Sequence, residues 1–258
     1  MSISISTNSP ILSYHARKAR NEFETSLERL SSGNRINSYA DDPGGASISR
    51  NLLTQIRGAS MAVRNVEDAT SMMEIADGAL IEVEDMLTRI YELSVQKGNS
   101  SFSATDITSI NSEITQLMSE IQDIADNTKF NYVAVSGQTV TVAQEFDGGT
   151  EAYTIPTFLI ETDLDTSSTT TDIETAIGSV AGFRGSLAAY INRFEYKINT
   201  LSFLATNTET AHSRINDTDY AAESAALAKA KVLQDASTAM LAQANASMDY
   251  VTSLLMTK

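Results

Sequence analysis

The side chains that could bind a metal or act as nucleophiles are few and scattered in this sequence. The two histidines, His15 and His212, lie in different predicted helices near opposite ends of the chain, with no pattern of carboxylates around them. A zinc site needs three or four ligands brought together, so we interpret both histidines as surface or interface residues. The chain has no cysteine, which excludes disulfides, thiolate metal sites and cysteine nucleophiles.

Two other patterns that could bind phosphate or catalyse proton transfer lack what such sites require. Gly44 and Gly45 are not followed by the Lys-Ser/Thr pair of a phosphate-binding loop. Glu82, Glu84 and Asp85 alternate with apolar positions, which is typical of the solvated face of a helix. The sequence therefore predicts no catalytic, cofactor-binding or metal site, and we expect a protein that is not an enzyme.

Charge is distributed unevenly along the chain, whose formal net charge is −15. Residues 1–64 carry eight Lys or Arg and five Asp or Glu, residues 65–214 carry seven and 23, and residues 215–258 carry three and five. The excess of acid argues against a nucleic-acid partner, and no apolar run is long enough to predict a membrane span. Nearly neutral ends and an acidic middle predict ends that pack densely beside a solvated middle.

Apolar periodicity predicts long helices, the first of them near the N-terminus. Ser9 and Pro10 suit an N-cap and a first helical residue, and Gly33 suits a left-handed end to that helix. Asp42 and Pro43 then suit the cap and first residue of a second helix. The apolar stripe of the second helix has a mean spacing of 3.5 residues: Ile48, Leu52, Ile56, Ala59, Val63, Val66, Thr70, Met73, Ala76, Leu80, Val83, Leu87 and Ile90.

That spacing is the period of a coiled coil, and a helix of about 50 residues would be roughly 75 Å long. A globular core needs no helix of that length, so the stripe indicates a rod. After a break at residues 98–103, a helix from near Thr105 to about Asn127 is expected to fold back antiparallel. A polar loop at residues 166–171 caps the next helix, whose stripe is interrupted by Arg184: Ile173, Ile177, Val180, Leu187, Ile191, Phe194, Ile198, Leu201 and Thr208. An Ala-rich helix at residues 219–256 follows.

A short β-hairpin is predicted between the rod helices. Residues 139–142 and 153–158 are rich in β-branched and aromatic side chains, and residues 146–149 between them have the composition of a turn. Pro156 confines the second strand to the edge or the end of a sheet. The predicted fold is thus mainly α, a long antiparallel coiled-coil rod made from the N- and C-terminal halves, with a small β-hairpin region in the middle.

The two end helices could each bury only one narrow face within a single chain. Their apolar faces are therefore the predicted self-assembly surface, covered by neighbouring copies. The residues that we assign to it are Leu12, Phe23, Leu27, Leu30, Leu227, Leu233, Met240, Met248, Val251 and Leu255.

Several segments of the chain resemble bacterial flagellin. In the N-terminal half they are residues 30–37 (LSSGNRIN), 41–42 (DD), 56–58 (IRG), 64–65 (RN), 77–80 (DGAL), 92–96 (ELSVQ), 111–116 (NSEITQ) and 130–131 (FN). In the C-terminal half they are residues 213–220 (SRINDTDY) and 240–245 (MLAQAN). The segments occur at both ends and in the family's order, which makes the resemblance specific.

The resemblance implies a structural subunit that self-assembles into the extracellular flagellar filament for swimming motility. It implies a protein secreted through the flagellar type III apparatus, in a minimal form without large outer domains. Residues 1–42 and 215–258 would form the two parts of an inner core domain, and residues 43–214 a helical rod domain with a β-hairpin insert near residues 130–165. The partners implied are other copies of the chain, an export chaperone, the filament cap protein and the hook–filament junction protein.

The resemblance also implies recognition by the vertebrate Toll-like receptor for flagellin. Arg89, Leu93 and Glu113 stand at positions that match the family's recognition residues, whereas Tyr91 stands where the family commonly has Arg. An ordinary helical surface that conserves its packing is the alternative interpretation of these positions.

Two departures from the family pattern leave alternatives open. Asn34 replaces a common Leu, and Pro43 with Gly44 replaces the usual pair of alanines. Asp-Asp-Pro is similar to the hook–filament junction protein, which is the nearest alternative. A cytoplasmic coiled-coil adaptor is an alternative of another class and would form a discrete oligomer that does not grow on filament seeds.

Overall fold

The computed structural model describes residues 8–158 and 164–256, with backbone only at 8–10, 248, 251, 252 and 254–256. Its elements in chain order are α1 (Asn8–Ser32), α2 (Pro43–Lys97), α3 (Ala104–Asn127), β1 (Lys129–Phe130), β2 (Val133–Ala134), β3 (Thr139–Ala143), β4 (Thr150–Thr154), α4 (Thr170–Asn216) and α5 (Tyr220–Met256). The predicted mainly α fold with a small antiparallel hairpin region is confirmed. No helix among the described residues is apolar enough over a sufficient length to cross a membrane.

The chain divides into two compact units, and α2 and α4 contribute to both. A terminal unit comprises Met1–Leu53 and Thr208–Lys258, and a central unit comprises Thr54–Asn207. The first unit thus joins the two ends of the chain. The domain boundaries expected from the sequence, after residues 42 and 214, lie between helices instead of within them, and they stay a prediction.

Local capping explains most of the helix ends. The N–H of Gly45 donates to Asp42 Oδ1 at 2.9 Å, so α2 begins at Pro43 as predicted. Gly33 has φ +75° and donates to the Arg29 carbonyl at 2.9 Å, which is the predicted left-handed end of α1. The predicted start of α1 is wrong, because the chain is already helical at Asn8. Proline fits any position of a first turn, where N–H groups lack helical partners, so it did not fix the start.

In the central unit α2 and α4 run antiparallel. Tyr91 near the end of α2 donates to Glu174 near the start of α4 at 3.0 Å, whereas Asp77 lies beside Arg184 further along α4. The two stripes meet in one core, as the coiled-coil spacing predicts. Its side chains with 0–1% exposure from these helices are Val66, Met73, Ala76, Leu80, Val83, Leu87, Ile90, Ile173, Ala176, Val180, Leu187 and Phe194.

Arg184 interrupts the α4 stripe because it pairs with α2. It lies between the buried Val180 and Leu187, and its Nε and Nη1 donate to Asp77 Oδ1 at 2.9 Å and Glu84 Oε2 at 2.7 Å. These hydrogen bonds, that to Asp77 first, raise the pKa of Arg184. A charged pair at one position of a stripe specifies register, since a shifted pairing would leave the charges unmatched.

α3 folds back along α2, in the predicted sense. Arg89, eight residues before the end of α2, contacts Glu113, nine residues after the start of α3, which makes the two helices antiparallel. Ser103 and Asp106 form a capping box at the start of α3: Ser103 Oγ accepts from the Asp106 N–H at 3.3 Å, and Asp106 Oδ2 accepts from the Ser103 N–H at 2.9 Å.

The main hairpin differs from its prediction at the second strand. β3 pairs with β4 from Thr139 opposite Thr154 to Ala143 opposite Thr150, so the strand at 153–158 is wrong and lies earlier. Proline has no N–H to continue the ladder, and Pro156 follows the strand, its carbonyl accepting from the Gly137 N–H at 3.2 Å. A second, two-residue hairpin, β1 with β2, was not predicted from periodicity.

Candidate self-association surface and neighbouring sites

α1 and α5 pack antiparallel in the terminal unit and leave most of their surface uncovered. Arg29 Nη1 lies 3.7 Å from Glu223 Oε2, and Lys231 Nζ lies 5.7 Å from the ring centre of Phe23. Among the described side chains, Ala19 and Ser26 are the buried ones of α1, and Ala230 is that of α5. Two paired helices without a third layer expose apolar positions that a larger assembly could cover.

The residues assigned to self-assembly lie on or beside this uncovered surface. Leu27, Leu233 and Met240 are 49%, 42% and 55% exposed. A cavity of about 480 Å³ between α1 and α5 brings Leu12 together with Leu233 and Met240. The half-buried members of the set are Leu12, Phe23, Leu30 and Leu227. The side chains of Met248, Val251 and Leu255 lie outside the described residues.

Further apolar side chains that the sequence did not single out are exposed on the same helices. Ile11 and Tyr14 of α1 are 54% and 63% exposed, and Val232 of α5 is 67% exposed. They stand next to predicted stripe positions, so the apolar faces are wider than the stripes. Large exposed apolar patches mark interaction sites in soluble proteins.

Two of the segments that carry the family resemblance are bonded to each other. Arg35, in the segment 30–37, donates its backbone N–H to the Asn216 carbonyl at 2.6 Å and its Nη2 to the Ile215 carbonyl at 2.6 Å. Asn216 Nδ2 donates to Asn34 Oδ1 at 2.7 Å, and the Thr218 N–H donates to the Gly33 carbonyl at 2.9 Å. These bonds hold the connector after α1 against the turn between α4 and α5.

The three receptor-matching residues do not lie on one surface. Arg89 donates from Nη2 to Glu113 Oε1 at 2.9 Å and from Nη1 to Glu92 Oε2 at 3.1 Å, and both partners are exposed. Its bond to Glu113 raises the pKa of Arg89. Leu93, by contrast, is 2% exposed and belongs to the core of the central unit. An approaching protein would therefore meet Arg89 and Glu113, while Leu93 supports the helix beneath.

The histidines make ordinary contacts. His212 Nε2 lies 3.0 Å from Ser49 Oγ, and the ring of His15 stands edge-on to Tyr14 with 5.7 Å between centres. Over residues 8–158 and 164–256, no cluster of three or more His, Asp or Glu side chains is placed to hold a metal ion.

A polar cluster that the sequence did not predict anchors the main hairpin to α4. Tyr153 is buried edge-on against Phe194, with 4.6 Å between ring centres, and its hydroxyl donates to Gln144 Oε1 at 3.0 Å and Glu151 Oε2 at 3.2 Å. Glu151 also accepts from Arg193, and this bond is the main cause that lowers the pKa of Glu151. Burial raises the pKa of Tyr153. The alternation of β4 could have predicted an inward Tyr153, but its partners on α4 are too distant in sequence to be inferred.

Comparison with known proteins identifies the family. The model of the bacterial flagellin N-terminal helical region matches residues 3–135, and that of the C-terminal helical region matches residues 170–255. The chain is similar to a flagellin of Halalkalibacterium halodurans, at 35% identity over 97% of this chain and 99% of the relative. It is also similar to a flagellin of Bacillus subtilis, at 34% identity over 90% of this chain and 92% of the relative.

A third relative and one solved structure agree with these matches. The flagellar filament 33 kDa core protein of Treponema phagedenis is 35% identical over 90% of this chain and 92% of its own. The crystal structure of Bacillus cereus flagellin is 26% identical and covers 58% of this chain and 94% of its own, with a TM-score of 0.46. None of these matches favours a hook–filament junction protein or a cytoplasmic adaptor. With both terminal regions matched, the chain belongs to the bacterial flagellin family and is a structural subunit of the flagellar filament.

Proposed function

We propose that the chain polymerises through the uncovered apolar faces of α1 and α5. The observation that carries this proposal is the exposure of Leu27, Leu233 and Met240 on a pair of helices that buries almost nothing else. Covering such side chains yields roughly 25 cal/mol for each Å² of apolar area removed from water. A helical array of copies repeats that gain at every subunit, which suits a filament.

The proposal extends to where the chain acts and what it meets. As a filament subunit it is exported through the flagellar type III apparatus and lies outside the cell. An export chaperone covers the exposed face of α5 before export, and the cap and hook–filament junction proteins meet the same terminal helices at the filament ends. These partners follow from family membership, and the exposed apolar side chains of α5 suit a chaperone that prevents premature association. The chain has a structural role and no catalytic one.

The test is seeded growth of purified monomer on short filament fragments. We expect Leu233→Gln and Met240→Gln each to raise the critical concentration for growth about tenfold, since one lost apolar contact of about 1.4 kcal/mol changes an equilibrium tenfold. Ile81→Gln is the matched control, because Ile81 is 38% exposed but lies on α2 in the central unit. Sedimentation gives the critical concentration, and electron microscopy confirms that the product is filamentous.

The outcomes separate the alternatives. Growth of both variants at the wild-type critical concentration would show that these faces are not the contact. A wild-type protein that forms a discrete oligomer and never extends seeds would instead support the adaptor. Circular dichroism of each monomer should match the wild type, because the substituted side chains are already exposed.

We also propose that the flagellin receptor of vertebrates contacts the exposed cluster of Arg89 and Glu113. Its support is that both side chains are accessible and held in one place by their ion pair. Replacing both by Ala should abolish the response of receptor-bearing cells to monomer, while Arg64→Ala, on an exposed position of the same helix, should not. A full response to the double variant would reject the assignment.

A further inference from the structure

A polar pocket in the terminal unit has a composition that differs from the rest of the chain. The pocket, which we name the connector pocket, has a volume of about 310 Å³ and is lined by connector residues such as Asn37 and Tyr39, by Ser49 and Arg50 of α2, and by His212 of α4. Among the described residues that line it, none is Asp or Glu. In a chain with 33 acidic residues, a pocket with an arginine, a histidine, several amides and a phenol selects for an anionic group.

The acidic side chains nearest in sequence are already committed to the backbone. Asp41 Oδ2 accepts from the N–H groups of Asn37 at 3.2 Å and Ser38 at 2.9 Å. Asp42 Oδ1 accepts from the Gly45 N–H at 2.9 Å as the cap of α2. Both carboxylates therefore fix the shape of the connector and leave the cationic character of the pocket intact.

The histidine in the pocket is held in place. His212 Nε2 lies 3.0 Å from Ser49 Oγ, and Ser49 is 9% exposed. When the serine hydroxyl donates to Nε2, the ring proton lies on Nδ1, which is then a donor. Neutral or charged, the ring can therefore donate a hydrogen bond to an anion, and Arg50 supplies a permanent positive charge.

Copies of the same chain supply the complementary charge. The central unit carries 22 acidic and eight basic residues, whereas the terminal unit carries 11 and 10. In a filament each subunit is surrounded by other copies, so acidic side chains are the abundant charged groups on neighbouring surfaces. We infer that the connector pocket of one subunit binds a carboxylate side chain of a second copy, through Arg50 and His212. This inference rests on the proposed function and adds a polar, register-setting contact to the apolar one.

The first experiment compares Arg50→Gln with Arg64→Gln in seeded growth. Both variants remove one positive charge from α2, but Arg64 does not line the pocket. Losing a hydrogen bond between charged groups costs about 1.5–3 kcal/mol, so Arg50→Gln should raise the critical concentration about 10- to 100-fold. It should also weaken the dependence of growth on salt. Equal critical concentrations and salt dependence for the two variants would overturn the inference.

The second experiment identifies the occupant. Arg50→Lys keeps the charge and places an amine at position 50, which a carbodiimide can join to a carboxylate in direct contact. Filaments grown from mixed isotopically light and heavy subunits should yield a light–heavy peptide that links position 50 to an Asp or Glu. The same treatment of monomer should not. No link, or a link within one chain only, would show that the pocket does not receive a neighbour.

The controls distinguish failure of this inference from failure of the proposed function. If wild-type protein and Arg64→Gln extend seeds and Arg50→Gln extends them equally well, only the pocket assignment fails. If wild-type protein does not extend seeds, the proposed function itself fails. Unchanged circular dichroism and melting temperature of the Arg50 variants show that a growth defect is not a folding defect.

Discussion

A single methyl group added at Gly58 should displace the main hairpin from α2. A Cβ at this position would lie 2.2 Å from the carbonyl oxygen of Phe146 and 3.1 Å from its carbonyl carbon. These are backbone atoms, so no rotamer change relieves the clash, and the turn after β3 must move by about 1 Å to restore an ordinary contact. The same turn is held by Asn65, whose Nδ2 donates to the Ala143 carbonyl at 3.0 Å. Moving the turn therefore also breaks that hydrogen bond.

The magnitude follows from comparison with Gly78→Ala in the same helix. A Cβ at Gly78 would meet nothing within 4 Å. Both substitutions gain the same helix propensity, up to about 1 kcal/mol, and this gain cancels between them. What remains for Gly58→Ala is overpacking of about 1–3 kcal/mol and a lost hydrogen bond of about 1 kcal/mol. We expect Gly58→Ala to be less stable than Gly78→Ala by about 2–4 kcal/mol.

Urea unfolding followed by circular dichroism measures the difference in free energy of unfolding. Amide hydrogen exchange locates it, since the ladder between Thr139–Ala143 and Thr150–Thr154 should lose protection in Gly58→Ala and keep it in Gly78→Ala. Two variants of equal stability, with equal protection in the hairpin, would refute the close approach of the Phe146 carbonyl to α2.

Two further predictions concern acid and capping. The pKa of Glu151 is lowered, chiefly by Arg193, so this pairing stabilises the folded chain above the unfolded pKa of about 4.3 and is lost as pH falls through the folded pKa; Glu151→Gln should flatten the acid limb of stability, measured by melting at stepwise lower pH. Ser103→Ala should destabilise the chain by about 1 kcal/mol in urea and return the lowered pKa of Asp106 toward its ordinary value, which NMR titration measures.

Features determined by neighbours in sequence could be predicted, and those determined by distant partners could not. The capping of α2 by Asp42 and the left-handed Gly33 depend on a few adjacent residues. The period of the α2 stripe predicted which residues share a face, yet Ile48 in that stripe is 52% exposed while Leu80 is fully buried. Period alone does not say which part of a stripe has a partner, because burial depends on what packs against it.

Arg184 shows the same limit in a single residue. The sequence marks it as an interruption of the α4 stripe, and a polar residue there could indicate a bend, an exposed turn or a paired charge. Its partners Asp77 and Glu84 lie 107 and 100 residues away, beyond any local pattern. Only the antiparallel pairing of α2 with α4 brings them together, and that pairing then turns an apparent defect into a contact that fixes the register.

The terminal helices join the question of fold to that of function. Their periodicity predicts amphipathic helices, and a helix with an apolar face needs a partner surface that covers it. In this chain each terminal helix has the other as partner, and one helix cannot cover a face that extends from Leu27 round to Ile11 and Tyr14 on α1. The remaining apolar area costs free energy in water at every subunit. A polymer removes that cost by repeating the same contact, so the incomplete burial within one chain is the physical reason to expect many.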